Sequence, residues 1–191
     1  MATRPQTGGD IVKLKVTLRH IKPPIWRRLM VPASLSLYDL HRLLQVCLGW
    51  GNQHLHGFDF RRDKFGAPDI LDDPDNEGSV TLSLLLRRGI KRFRYTYDFG
   101  DSWEHDIEID GGQPRVPGQQ YPICLAGKRA APPEDCGGFP GYYDIIESLA
   151  DPKHPDRSER LDWLGDYDPE AFSLPGINAE LAVRFGIKSR R

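Results

Sequence analysis

The sequence predicts an α+β fold: an antiparallel β-sheet with one early helix and a C-terminal group of helices packed on it. Three observations predict it. Ile11–Arg19 alternates strictly, with Val12, Leu14, Val16 and Leu18 on one side and Lys13, Lys15, Thr17 and Arg19 on the other, as a half-buried strand does. Residues 93–99 and 103–110 alternate in the same way on either side of Gly100-Asp101, which reads as a β-hairpin. Helical spacing occurs early, near 36–48, in one short stretch at Thr81–Arg88, and then only after residue 138, so the strands are not separated by regular helices as a doubly wound parallel sheet requires.

The remaining elements follow in order. Pro23-Pro24 ends the first strand, and Ile25–Val31 reads as a second. Ser34 or Ser36 is placed to cap a helix over about 36–48, whose Leu37, Leu40, Leu44, Cys47 and Leu48 form the apolar stripe while Asp39, Arg42 and Gln45 lie on the wet side. Cys47 is thus a packed thiol. Gly49 and Gly51 end that helix. His54–Arg62 alternates again, with His54, His56, Phe58 and Phe60 sharing a face. Asp69–Gly78 is an acidic loop, and Thr81–Arg88 a short helix on Leu82, Leu85 and Leu86. In the hairpin, His105 lies on the apolar face with Trp103, while Glu104, Asp106, Glu108 and Asp110 line the wet one. The Gly/Pro-rich stretch 111–138 reads as a long loop. A helix then starts near Pro140 and runs to Ala150, a second near 155–164 brings Leu161, Trp163 and Leu164 to the core, and a last covers Asn178–Phe185.

The domain expectation is one unit over 10–185, between a flexible N-terminus (1–9) and a flexible tail (186–191). Its 39 % hydrophobic and 28 % charged residues in 191 exclude a disordered chain. The net charge of -1 argues against a general nucleic-acid coat, so DNA is not an expected partner. No apolar run is long enough for a membrane span, and the first residues lack a secretory h-region. Three cysteines leave one unpaired, which reads as a reducing, cytoplasmic setting. Charge is uneven: residues 1–66 are strongly basic and 67–110 strongly acidic, which suits ion pairing between the two segments.

Several phrases recur together in one known family: Ile21-Lys-Pro-Pro-Ile-Trp-Arg-Arg28, Gly49-Trp50 with His54-Leu-His-Gly-Phe58, Tyr95-Thr-Tyr-Asp-Phe-Gly-Asp-Ser-Trp-Glu-His105, Pro132-Pro-Glu-Asp-Cys-Gly-Gly138 with Gly141-Tyr142, and Trp163-Leu-Gly-Asp-Tyr-Asp-Pro-Glu-Ala-Phe172. Over roughly residues 10–185 the chain resembles the plasmid pRi open-reading-frame-three-like family. The resemblance implies a bacterial or archaeal α+β domain and brings no established activity. Some members are labelled insertion-element resolvases, which would imply association with mobile elements. The residues do not support strand exchange: Ser34 and Ser36 lack a surrounding arginine cluster, and His154-Pro-Asp-Arg157 with Tyr167 fits a helix start better than a tyrosine recombinase.

Candidate chemistry centres on the hairpin. Inward Trp103 and His105, beside Tyr95 and Tyr97, with Asp98 and Asp101 at the turn, suit a general base or a pocket; His54, His56 and His105 are the candidate metal ligands. The plainer reading makes the histidines satisfied core groups and the two aspartates turn formers. Cys124 and Cys136 could join His54 and His56 in a zinc set, although their spacing is unlike that of a zinc knuckle. Cys136 before a helix could be an activated thiol paired with His105, but Glu134 and Asp135 beside it oppose that. The loop Pro132–Gly138 reads as a fixed structure in which Glu134 or Asp135 binds N–H groups at the helix start or an arginine. Arg27 and Arg28 are candidate partners for those acids or for a ligand anion, against a solvated strand face. No cofactor is expected beyond an optional divalent metal. The leading expectation is a binding or accessory module for an unidentified protein or small molecule, using the aromatic sheet and the Pro/Gly loop. The alternative is a small metal-dependent or His/Asp hydrolase-like enzyme, and behind both stands a DNA recombination accessory protein.

Overall fold

The structure is a computed structural model that describes residues 10–60 and 77–186. Six strands form one sheet: β1 (Ile11–Leu18), β2 (Trp26–Pro32), β3 (His56–Asp59), β4 (Arg92–Tyr97), β5 (Trp103–Gln113) and β6 (Ile123–Lys128). Their order is β3-β4-β5-β1-β2-β6, and every neighbouring pair is antiparallel. Among the described residues there are five helices: α1 (Leu37–Leu48), α2 (Leu82–Arg87), α3 (Gly138–Ala150), α4 (Arg157–Leu164) and α5 (Leu174–Phe185).

The period-two pattern of β1 works as expected, since Val12, Leu14, Val16 and Leu18 are all buried in the main core. Ser36 caps α1 by accepting from Asp39 N at 3.1 Å, and Gly49 closes it in the left-handed region at φ 77°. Between these caps Leu37, Leu40, Leu43 and Leu44 are fully buried, each burial contributing about 1.5–3 kcal/mol. Gln45 faces inward, not to solvent, because it enters a polar network described below. On the opposite sheet face Arg19 of the basic start pairs with Glu104 and Asp106 of the acidic middle, while Arg94–Glu104 and Arg92–Glu108 pair within the middle segment itself.

Several expectations are corrected. The stretch 111–138 is not all loop, because Ile123–Lys128 adds to β2 as an edge strand. Its ICLAGK sequence has no alternation, and the carboxamide of Asn178 in α5 both accepts from Cys124 N (2.7 Å) and donates to Cys124 O (2.9 Å). The last helix starts at Leu174, with Ser173 as its cap and Pro175 in the first turn, where a missing N–H costs nothing. In α4, Leu161 and Trp163 are 40 % and 52 % exposed, and no residue of that helix is buried. This short helix is held by polar means, Arg157 donating to the carbonyls of Ser148 and Leu149 at the end of α3. Phe99 belongs to the hairpin turn and is exposed. Positions 1–9, 61–76 and 187–191, which include most of the expected acidic loop, both terminal segments and the end of the strand expected to reach Arg62, lie outside the described residues. Among the described residues no helix is long and apolar enough to cross a membrane.

Candidate functional site

Three segments meet at one end of the sheet: the α1–β3 loop, the β4–β5 turn and the loop 132–138. Trp50 stacks on Tyr97 at 5.0 Å between centroids and donates its indole N–H to Pro132 O at 2.9 Å. Glu134 accepts from Gly51 N (2.8 Å) and from the Tyr97 hydroxyl (2.5 Å), which in turn accepts from Gln53 N (3.0 Å). Burial and then the Glu134 bond push the Tyr97 phenol up to about 12, so it stays a donor. Asp101 Oδ2 accepts from Gly137 N at 3.2 Å, the helix-start contact expected of Glu134 or Asp135. The approach there is tight: a Cβ on Gly138, whose φ is 68°, would lie 2.6 Å from Asp101 O.

At this junction His54 stands between two carboxylates. Its Nδ1 is 3.7 Å from Asp98 Oδ2 and its Nε2 is 3.2 Å from Asp135 Oδ1. Asp98 spends its other oxygen on the turn, accepting from Gly100 N at 2.9 Å and Asp101 N at 3.4 Å. Among the described residues, His54, Asp98 and Asp135 are the one group whose ligand atoms converge as a metal site needs, all within 4.8 Å.

The expected meeting of His54, His56 and His105 does not occur. His56 stacks on His41, with ring centroids 3.5 Å apart, and bonds Glu77 at 2.8 Å. His41 belongs to a closed ring of hydrogen bonds. Gln45 Nε2 donates to the Tyr95 hydroxyl (3.1 Å), Tyr95 donates to His41 Nδ1 (2.8 Å), His41 Nε2 donates to Asn52 Oδ1 (2.5 Å), and Asn52 N donates to Gln45 Oε1 (2.9 Å). The directions follow from the fixed roles of the amide groups. Burial, then the neighbouring His56, lowers the His41 pKa to about 4, so it is a neutral link. His105 is completely buried with neither ring nitrogen hydrogen-bonded among the described residues, so it is not the satisfied core group of the plainer reading, and burial lowers its pKa to about 4. It rests edge-on against Trp50 and reaches neither Asp98 nor Asp101 by a hydrogen bond or ion pair among the described residues.

Trp103, Tyr95 and Tyr97 are likewise core residues, so their rings form no open recognition surface. Only the Tyr97 hydroxyl reaches the loop junction. The cysteines do not join the histidines. Cys124 and Cys47 are buried, and their thiols are raised by that burial. Cys136 is pushed up to about 12 by burial and then by Asp101 and Asp135, the opposite of an activated thiol.

Beside the junction lies a cleft of about 320 Å³, walled by Trp50, Pro132, Pro133, Glu134, Tyr167 and Phe172 and reaching down to Arg27. Arg28 faces the opposite way and is exposed, but Arg27 is only 3 % exposed, so the solvated strand face expected for both holds for one. Arg27 Nε donates to Cys47 O (2.8 Å) at the end of α1, and Nη1 to Trp26 O (2.9 Å) and Lys128 O (3.1 Å). Its guanidinium lies 5.0 Å from the Phe172 ring centre. Gly127 makes this packing possible, because a Cβ there would meet Phe172 at 2.5 Å and Arg27 Cδ at 2.9 Å. No carboxylate comes within ion-pair distance of Arg27 among the described residues, and Nη2 has no hydrogen-bond partner there. Burial lowers its pKa from the ordinary value. His41, Asn52 and Phe172 were missed by sequence reasoning; the four-residue step from Leu37 to His41 was the usable signal for the first.

These features define an α+β domain with a loop-built site at one end of an antiparallel sheet. The chain belongs to the plasmid pRiA4b ORF-3-like protein family, whose profile matches residues 10–175. It is 42 % identical to the protein y4hQ of Sinorhizobium fredii, described as uncharacterised, over 96 % of this chain and 98 % of that one. The crystal structure of MM3350 from Methanosarcina mazei, a protein of unknown function, is similar with a TM-score of 0.77 and 38 % identity, covering 86 % of this chain and 96 % of that one.

Proposed function

We propose that this protein is a binding module that takes a small organic anion into the cleft over Arg27, with the Pro132–Glu134 loop as one wall. The observation that carries this reading is a buried guanidinium with no carboxylate partner among the described residues, at the floor of a cleft. A buried charge is costly unless it is paired, and the three carbonyls on Nε and Nη1 leave Nη2 for a ligand oxygen. A carboxylate or phosphate oxygen suits this one remaining charged donor. Trp50, Tyr167 and Phe172 supply flat walls for an apolar body, in a volume at the small end of ligand pockets. Glu134, already held by two donors, puts acceptor oxygens on the loop wall and favours a donor group at that end of the ligand.

The test is a thermal-shift and calorimetric series with acetate, benzoate, inorganic phosphate and phenyl phosphate in low-chloride buffer. Binding to the native state raises stability by about 2.7 kcal/mol at a hundred times Kd. The expected result is a rise in Tm with the aromatic anions, weakened about ten- to a hundredfold in affinity by Arg27→Lys, which keeps the charge but loses the planar donor set that holds three carbonyls and still presents Nη2. No rise with any anion, or an equal rise in Arg27→Lys, rejects the reading.

A further inference from the structure

We propose that His54, Asp98 and Asp135 form a binding site for a first-row divalent cation of the manganese, iron or zinc type. The three residues come from three segments, the α1–β3 loop, the end of β4 and the loop 132–138, and their ligand atoms lie within 4.8 Å of one another. His54 Nε2 is buried and makes no hydrogen bond among the described residues, although Asp135 Oδ1 is 3.2 Å away. The Asp98 side chain is 12 % exposed, and because the turn occupies its Oδ1, only Oδ2 is aimed at His54. No arginine or lysine pairs with either carboxylate among the described residues, so His54 is their one counter-group. Two carboxylates and an imidazole thus face one another with charge and lone pairs left over.

The donor chemistry selects the ion. One imidazole nitrogen with two carboxylate oxygens is too nitrogen-rich for calcium and lacks the thiolates of a structural zinc site. Metal–ligand bonds of about 2.0–2.2 Å place neighbouring ligand atoms roughly 3.0–3.5 Å apart, close to the His54 Nε2–Asp135 separation. A single ring nitrogen can ligate, so with Nδ1 facing Asp98 in that role it is Asp135, 71 % exposed on its side chain, that turns from the Nε2 side to complete the set. Asp101 keeps the loop in place for this through its bond to Gly137 N. Three protein ligands leave coordination positions for water or for an anionic group. The site uses no group that holds the anion over Arg27.

The experiment uses the full chain, treated with chelator and desalted, and manganese chloride as the probe, since Mn2+ has little affinity for thiols and the buried cysteines will not compete. Electron paramagnetic resonance counts free and bound ion during titration. One Mn2+ per chain is expected, with affinity reduced at least about tenfold in His54→Gln and in Asp135→Asn. Both variants are expected to keep the wild-type circular dichroism, and Arg27→Lys to bind Mn2+ as the wild type does. Zinc chloride followed by calorimetry is the second arm, and saturable one-to-one binding lost in the same two variants also supports the site. Folded protein that binds neither ion saturably up to about 1 mM overturns the proposal, as does wild-type affinity in both variants. Loss of Mn2+ binding in Arg27→Lys alone would place the ion elsewhere and overturn it too.

Discussion

His41 and His54 are held in opposite ways at the two ends of one stretch of chain. Around His41 every polar atom of the ring has a partner: Gln45, Tyr95, His41 and Asn52 each donate once and accept once, and the circuit closes on itself. Around His54 a buried ring nitrogen has no hydrogen bond, and two carboxylates face it without another counter-charge among the described residues. The first arrangement is neutral and joins α1 to β4. The second is charged and is made wholly by loops. A closed polar circuit in a low-dielectric interior stabilises one packing of the core, whereas an open cluster at a loop junction stabilises little and leaves room for a ligand. Histidine itself therefore says little here about function; what matters is whether its neighbours use up its hydrogen-bonding capacity.

The largest effect that can break this contrast is acidification. Unfolded histidine takes a proton near pH 6.5, but His41 and His105 do so only near 4 in the folded chain. Between those values the unfolded state binds more protons, so the stability is complete above about pH 6.5 and is lost as pH falls towards 4. The loss is on the order of 3 kcal/mol for each histidine. Urea midpoints measured in steps across this window should fall, and less steeply in His41→Gln; an unchanged slope in that variant would mean that His41 takes its proton at the same pH folded and unfolded.

Next in size is Tyr95→Phe. It strands Gln45 Nε2 and His41 Nδ1 together and should cost about 2–4 kcal/mol by urea unfolding. A cost under about 0.5 kcal/mol would show that the circuit contributes no stability. Tyr97→Phe is expected to cost less, about 1–2 kcal/mol, because Gly51 N still holds Glu134. Faster amide exchange at Gln53 and His54, whose N–H groups lose an acceptor, is its local readout. The smallest effect belongs to Asp135→Asn: its side chain is largely exposed, and the stability change should stay within about 0.5 kcal/mol. A larger loss would turn the open cluster into a second structural brace and erase the difference between the two histidines.

What could be read in advance follows the same physical division. Strands β1, β4 and β5 were legible because one face is buried and the other is charged, so period two is written into Val12–Leu18 and Phe93–Ile109. Strand β6 was not, because Ile123–Lys128 is packed from side and edge and shows no alternation. Trp163 misled because a large apolar side chain reads as core, yet α4 is too short and too charged to bury it. Arg27 is the instructive miss: parity with Ile25 and Leu29 placed it inside, while its charge argued for solvent, and parity was right. Asp98, Asp101, Glu134 and Asp135 were all picked out individually. Their pairing was not, since His54 meets Asp98 and Asp135 through three loops that no spacing rule connects.

The placement of β1 has a consequence for synthesis on the ribosome. Its β2 partner follows at once in the chain, but its other partner, β5, pairs Leu18 with His105 and Ile11 with Gln113. At about 5–20 residues per second, the β1–β2 hairpin therefore waits roughly 4–16 s with its β1 edge bare. An edge of that kind invites pairing with a neighbouring nascent chain. Lys13, Lys15 and Arg19, of which Arg19 later pairs with Glu104 and Asp106 of β5, stand on that strand or just past its end during the wait and repel a second copy of it. The basic beginning of this chain thus guards the edge before its acidic partner strand has been made.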